Sequence, residues 1–226
     1  MPTDITLLDF IALCFFFIAW YSTTIFCHHF KSTEKTLNGI SKSYRNQWML
    51  HLLGRESRMP DVALLGSLMR NVAFFASTSL LILASLIAVF GTIDEAIKIV
   101  DGIPYAQHVS ASFWKLKLLL LIIIFVFIFF KLIWSIRQYN STVIMIGAAP
   151  DTFDSDAELF VYANNLGIVL NRAAMHFVEG MRGFEYALAI LAWFIHPATF
   201  ILTSITVSIV IYRREFASRM LKAMID

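Results

Sequence analysis

Apolar and polar positions in this chain come in long blocks rather than in alternation. Residues 186–212, between Glu185 and Arg213, contain no Asp, Glu, Lys or Arg. As a helix rising ~1.5 Å per residue this block reaches ~40 Å, enough to cross a ~30 Å hydrocarbon layer with tilt. Similar blocks lie at about 5–27, 72–92 and 113–136, the third containing an unbroken aliphatic and phenylalanine run from Leu118 to Phe130. Strand-like alternation is absent from all four. The pattern predicts an all-α, polytopic transmembrane helical bundle of four long spans. His196-Pro197 interrupts the last block. Proline has no N–H for the carbonyl of Trp193, so a kink is expected there.

The segments between the blocks predict further helices. Residues 31–70 carry Lys31, Lys35, Lys42, Arg45, Arg55, Arg58 and Arg70 against Glu34, Glu56 and Asp61, which places this loop in the cytoplasm and the N-terminus outside. Within it Tyr44, Trp48, Met49, Leu52 and Leu53 share one face, as in a helix lying on the inner headgroup layer. Pro60-Asp61 is expected to begin the second long helix with Asp61 as N-cap, and Arg70 to mark its inner boundary. Ile93, Ile97 and Val100 suggest a short amphipathic helix that Asp101-Gly102 breaks. Lys131 is expected to snorkel to the inner interface rather than act inside.

Ser155-Asp156-Ala157-Glu158 reads as a capping box opening an amphipathic helix over 156–177, with Tyr162, Asn165, Arg172, His176 and Glu179 on one face. Its polar groups make it a costly lone span, so an interfacial position is expected. One conflict remains. Four spans put Arg213, Arg214, Arg219 and Lys222 outside, against the positive-inside rule, and a fifth span over 156–177 would remove that conflict.

Composition agrees with lipid as the solvent. The chain is 58% hydrophobic and 15% charged with a mean hydropathy of +0.71, well beyond soluble norms. A net charge of +2 gives no reason to expect nucleic acid as a partner. Cys14 and Cys27, on one expected helix, lie ~20 Å apart and cannot pair with each other. The opening Met-Pro-Thr-Asp is acidic rather than basic, so the first span is expected to stay as an anchor.

At Met69-Arg70-Asn71, Arg137-Gln138-Tyr139-Asn140 and Gly180-Met181-Arg182-Gly183-Phe184, followed by Trp193 and Pro197, the chain resembles a family of bacterial and plant integral membrane proteins defined only as a domain of unknown function. The resemblance covers almost the whole chain and implies about four spans and no established activity. Members often carry glycine where this chain has His196, so no role for that histidine is implied.

Two polar constellations are candidates for function. Arg70, Arg137 and Arg182, with Asn71 and Asn140 beside two of them, are expected near the cytoplasmic ends of different helices. Converging guanidinium forks would form a vestibule for an anion or lipid headgroup, whereas boundary arginines pairing with phospholipid are the simpler reading. His196, Thr199, Thr203 and Thr206 share a helical face that could line a path with Pro197 as its hinge. Alternatively the threonines serve only the carbonyls freed by the proline. Cys27-His28-His29 and the acidic group Asp151, Asp154, Asp156 and Glu158 are weaker metal sites, lacking suitable spacing. With His196 deep and His28 near an edge, no haem pair is evident, and no cofactor, metal or catalytic residue is expected. The expected function is a homo-oligomeric inner-membrane channel or transporter for a small ion or anionic solute. The alternatives are a non-catalytic scaffold subunit bound to another membrane protein, and a membrane redox or lipid-binding protein.

Overall fold

The computed structural model describes residues 6–29, 36–101 and 110–225, without the side chains of residues 25–29, 100 and 101. The described residues are all-α: α1 (Leu7–His29), α2 (Leu37–Leu53), α3 (Met59–Gly91), α4 (Ile93–Asp101), α5 (Ala111–Ala148), α6 (Asp156–Trp193), α7 (Pro197–Phe216) and α8 (Arg219–Ile225). By length and apolarity α1, α3 and α5 are able to cross a membrane. Ile5, Lys31, Glu34, Lys35 and Gly102, and the side chains of Cys27, His28 and His29, lie outside the described residues.

The last apolar block is two helices and not one kinked span over 184–212. Helix α6 stops at Trp193 and α7 starts at Pro197, with His196 as N-cap in an extended conformation (φ −158°, ψ 144°) and its Nδ1 accepting from Ala198 N at 3.1 Å. A residue before proline favours extended backbone, and proline at N1 lacks only an N–H that would have had no helical partner. Pro197 therefore opens a helix instead of bending one. Contacts Ala192–Thr199, Ala189–Thr203, Tyr186–Ser208, Glu185–Arg214 and Arg182–Glu215 step in opposite directions along the two helices, so α7 folds back antiparallel on α6.

The amphipathic segment 156–177 is likewise no separate interfacial helix. It runs without a break into the apolar half of α6. Ser155 caps it as expected, accepting from Glu158 N at 3.3 Å, while Glu158 Oε2 accepts from Asp154 N at 3.3 Å.

Helices α5 and α6 make the most extensive contact, and they are antiparallel throughout. Lys117 meets Trp193, Lys131 meets Glu179, Ser135 meets Ala173 and Met145 meets Tyr162. The approach is close because α6 offers glycines to α5. A Cβ on Gly183 would lie 2.5 Å from Ile128 Cγ1, and one on Gly180 would lie 2.9 Å from Leu132 Cδ2. We expect Gly183→Ala to cost about 1–3 kcal/mol through overpacking, whereas Gly91→Ala, with open space around it, should melt with the parent. Thermal unfolding in detergent checks both, and an unchanged midpoint for Gly183→Ala would contradict the packing.

Helix α3 runs antiparallel to α5, fixed where Arg58 Nη1 and Nη2 donate to Ala149 O and Pro150 O, each at 2.7 Å. Its N-cap is Arg58, not Asp61, with Pro60 in the first turn. Asp61 is fully buried and accepts from Trp48 Nε1 at 2.7 Å and Arg55 Nη1 at 2.6 Å. Helix α1 lies along α7 in the same direction, with Asp9 against Trp193 and Phe16 against Phe200. The apolar face of α2 does not lie on lipid: Met49 and Leu52 are fully buried, and α2 packs along the first half of α6. Thus α1, α5 and α7 run one way, and α3 and α6 the other.

Candidate functional site

The polar groups expected to form a vestibule do not converge. The Arg58 contacts set Arg70 level with Arg137 across α3 and α5, but Arg70, Asn71, Arg137 and Asn140 are all exposed. Arg70 and Arg137 lie opposite the buried stripes of their helices, Leu65/Val72/Ala76 and Leu132/Ser135/Tyr139. Arg137 rests on its own neighbour, 5.3 Å from the Trp134 ring. Arg172 is exposed at the same level on α6. Arg182 is buried ten residues further along α6, ~15 Å from that plane. The outward arginines form a belt at one depth, which suits phospholipid headgroups.

The expected path face also resolves into local bonds. Thr199 Oγ1 donates to His196 O at 2.6 Å or Ala192 O at 2.7 Å, and Thr203 Oγ1 to Thr199 O at 2.8 Å. Thr206 is exposed, and its hydroxyl bonds to Leu202 O at 2.9 Å. These threonines serve the carbonyls at the start of α7. Lys131 is held by Glu179 Oε2 at 2.7 Å and sits 5.3 Å from the Phe127 ring rather than reaching freely to the interface.

What the structure does gather is a polar seam where α6 faces α1 and α7, closed at its ends by α5 and α2. At the α6–α7 turn the carbonyl of Trp193, left open by the end of α6, accepts from Lys117 Nζ at 2.8 Å. Lys117 is 1% exposed, and its ammonium lies over the rings of Phe113 (4.6 Å) and Trp193 (5.0 Å). Asp9, 2% exposed, accepts from Trp193 Nε1 at 2.8 Å and from Thr6 Oγ1 at 2.6 Å, within Coulombic reach of Lys117. A carboxylate and an ammonium thus share one tryptophan, whose indole N–H serves the first and whose backbone carbonyl serves the second.

Below them the seam is aromatic. Phe16 and Trp193 each pack on Phe200, at 5.1 and 5.2 Å between centroids, and Trp20 stacks on Tyr186 at 5.7 Å. Next come three hydroxyls: Tyr186 Oη lies 2.9 Å from Ser208 Oγ and 3.1 Å from Thr23 Oγ1. A cleft of about 380 Å³, lined in part by Thr23, Ser208 and Tyr212, opens beside them.

The far end holds a second buried carboxylate. Glu215 is 6% exposed, accepts from Asn38 N at 3.1 Å and Asn38 Nδ2 at 3.0 Å, and pairs with buried Arg182 at 3.7 Å. Glu185 and Arg214 pair beside it. Further along, Arg45 Nε donates to Asn171 Oδ1 at 2.7 Å. Burial pushes this guanidinium below its ordinary value, with Tyr139 pulling the other way.

Asp9, Lys117, Tyr186, Asn38 and Glu215 were not expected from the sequence as site residues. The usable signal was charge at the edges of apolar blocks: Asp9 is one residue before an uncharged run and Lys117 one residue before another. Among the described residues no three His, Cys, Asp or Glu gather to hold a metal, the group Asp151, Asp154, Asp156 and Glu158 included.

A family model described as "Protein of unknown function, DUF599" matches residues 10–220. No curated protein and no solved structure matches the chain.

Proposed function

The chain belongs to the DUF599 family, and we propose from its own geometry that it is an inner-membrane transport protein for protons or a small cation, with the seam between α1, α6 and α7 as its path. In this reading α1, α3, α5, the apolar half of α6 and α7 all cross the membrane, five passes with the N-terminus outside. The positive-inside rule supports that count, because the basic loop before α3 and the Arg213–Lys222 tail then share the inner side. The fifth pass comes from dividing the last apolar block, and 156–177 need not cross.

The observation that carries the transport reading is the pair of buried carboxylates, Asp9 and Glu215, at opposite ends of one seam. An ionised side chain costs about 2.5–3.5 kcal/mol at the centre of a spanning helix and less towards its ends, and ionisable residues buried within a membrane protein mark ion and proton routes by default. Glu215 pairs with Arg182, Asp9 shares Trp193 with the Lys117 ammonium, and the hydroxyls of Tyr186, Thr23 and Ser208 lie between the two ends. Carboxylates recognise cations, so the anionic solute that a vestibule of arginines would have favoured loses its support. The seam lies within one chain and requires no second copy.

Proteoliposomes containing a pH-sensitive dye, energised by a potassium diffusion potential, test the reading. The protein should acidify or alkalinise the lumen faster than empty liposomes. Asp9→Asn and Glu215→Gln should each slow that flux at least about tenfold, the weight of ~1.4 kcal/mol, while Arg70→Gln and Arg137→Gln should leave it unchanged. Flux equal to empty liposomes with protons, sodium and potassium alike, or undiminished in both carboxylate variants, would overturn it.

A further inference from the structure

A second site lies away from the seam, where the start of α3 meets the end of α2. Asp61 is fully buried, yet both of its donors, Trp48 Nε1 and Arg55 Nη1, bond to Oδ1. Its Oδ2 is buried with no hydrogen-bond partner. A carboxylate oxygen left without a donor carries a full desolvation penalty, so a site that supplies one gains from it. Asp61 also lines an open cleft of about 540 Å³ together with Trp48, Arg55, Leu64, Ser67 and Leu68.

The cleft walls specify what fits. Arg55 has a half-exposed side chain, and only its Nη1 is engaged with Asp61, which leaves guanidinium N–H groups for a phosphate. Trp48 lines the cleft and points its indole N–H edge at Asp61 Oδ1, leaving Oδ2 as the acceptor for a ligand cation. Leu64 and Leu68 are exposed on the same helix. They lie between Asp61 and the Arg70 belt, on the ~14 Å of α3 that leads from the cleft towards the membrane in the orientation proposed above.

We propose that this cleft binds a zwitterion with a primary ammonium and a phosphate, as in phosphoethanolamine. The ammonium donates to Asp61 Oδ2, the phosphate sits on Arg55, and any attached acyl chain runs along Leu64 and Leu68. The same chemistry is available from phosphatidylethanolamine in the inner leaflet and from free phosphoethanolamine. The site stands whether or not the seam transports ions.

Native mass spectrometry of the full-length protein in mild detergent tests it, with phosphatidylethanolamine, phosphatidylcholine and phosphatidylglycerol as probes. Phosphatidylethanolamine should bind about tenfold tighter than phosphatidylcholine, whose quaternary ammonium has no N–H to donate. Asp61→Asn should abolish that preference. Should Asp61→Asn not fold, Ser67→Trp, at an exposed position of the cleft wall, should block phosphatidylethanolamine while leaving the carboxylate in place. Competition with free phosphoethanolamine assigns the source: displacement at concentrations matching the lipid identifies a soluble ligand, and displacement by lipid alone identifies the bilayer. Equal binding of phosphatidylethanolamine and phosphatidylcholine by the parent, or a preference that survives Asp61→Asn or Ser67→Trp, would overturn the site.

Discussion

Replacing Arg182 with methionine is expected to lower stability by about 3–5 kcal/mol, because it strands Glu215 as an uncompensated buried charge. Arg182 and Glu215 are each 6% exposed and 3.7 Å apart. The two bonds from Asn38 remain in the variant, but they bring no positive charge. Methionine fills much of the volume arginine leaves, so the loss is electrostatic rather than a cavity effect. The double variant Arg182→Met/Glu215→Gln should recover most of the loss, since glutamine can still accept from Asn38 without a charge to neutralise. Arg172→Met, on the exposed belt, should change stability by less than ~0.5 kcal/mol. Arg214→Met, whose side chain is 67% exposed in its pair with Glu185, should cost at most about 1 kcal/mol. Denaturant or thermal unfolding in detergent reads all four. Arg182→Met as stable as Arg172→Met would mean that the pair is not the one described.

The second large effect is all-or-none. With Cys14 and Cys27 replaced by serine, a single cysteine at Ala198, exposed in the first turn of α7 just after the chain reverses, should react with a membrane-impermeant maleimide in intact cells. Single cysteines at Ala217 and Gly54, both exposed, should react only after permeabilisation. A continuous kinked span over 184–212 makes the opposite forecast. Position 198 would sit at mid-bilayer and stay unlabelled, and position 217 would emerge outside. Labelling of position 217 in intact cells would therefore reject the five-pass reading.

The sequence disclosed the helices, and that α1, α3 and α5 are long and apolar enough to cross a membrane, because hydrophobic block length is a local property. The short amphipathic helix after α3 and the Ser155 cap were readable for the same reason, each being written within a few residues, whereas α5 continues to Ala148, well past the end expected at 136. Pro197 was readable as a disruption but not as a reversal. The outcome depended on His196 capping a new helix and on α6 presenting Tyr186, Arg182 and Glu185 at the spacing where Ser208, Glu215 and Arg214 return. The resemblance motifs named real contact points, Gly180, Arg182, Gly183 and Trp193, although none of them announced its partner. Charge was the least legible feature. Arg70, Arg137 and Arg182 looked equivalent along the chain, yet two are turned outward and the third is buried opposite a glutamate 33 positions later. Asp9 and Lys117 are brought near each other only because each bonds to Trp193, a juxtaposition that no periodicity within one segment can encode.

The division of the last apolar block also bears on how the ribosome hands this chain to the translocon. Unlike α1, α3 and α5, neither α6 nor α7 is among the helices apolar enough to cross alone, and the second half of α6 carries Glu179, Arg182 and Glu185. The counter-charges for two of those residues, Glu215 and Arg214, emerge from the exit tunnel last. In the five-pass reading, α6 would then partition into lipid only once α7 has been synthesised, the two entering together as a hairpin. A nascent chain halted before Ile211 would leave the second half of α6 outside the bilayer, in the reach of quality-control proteases.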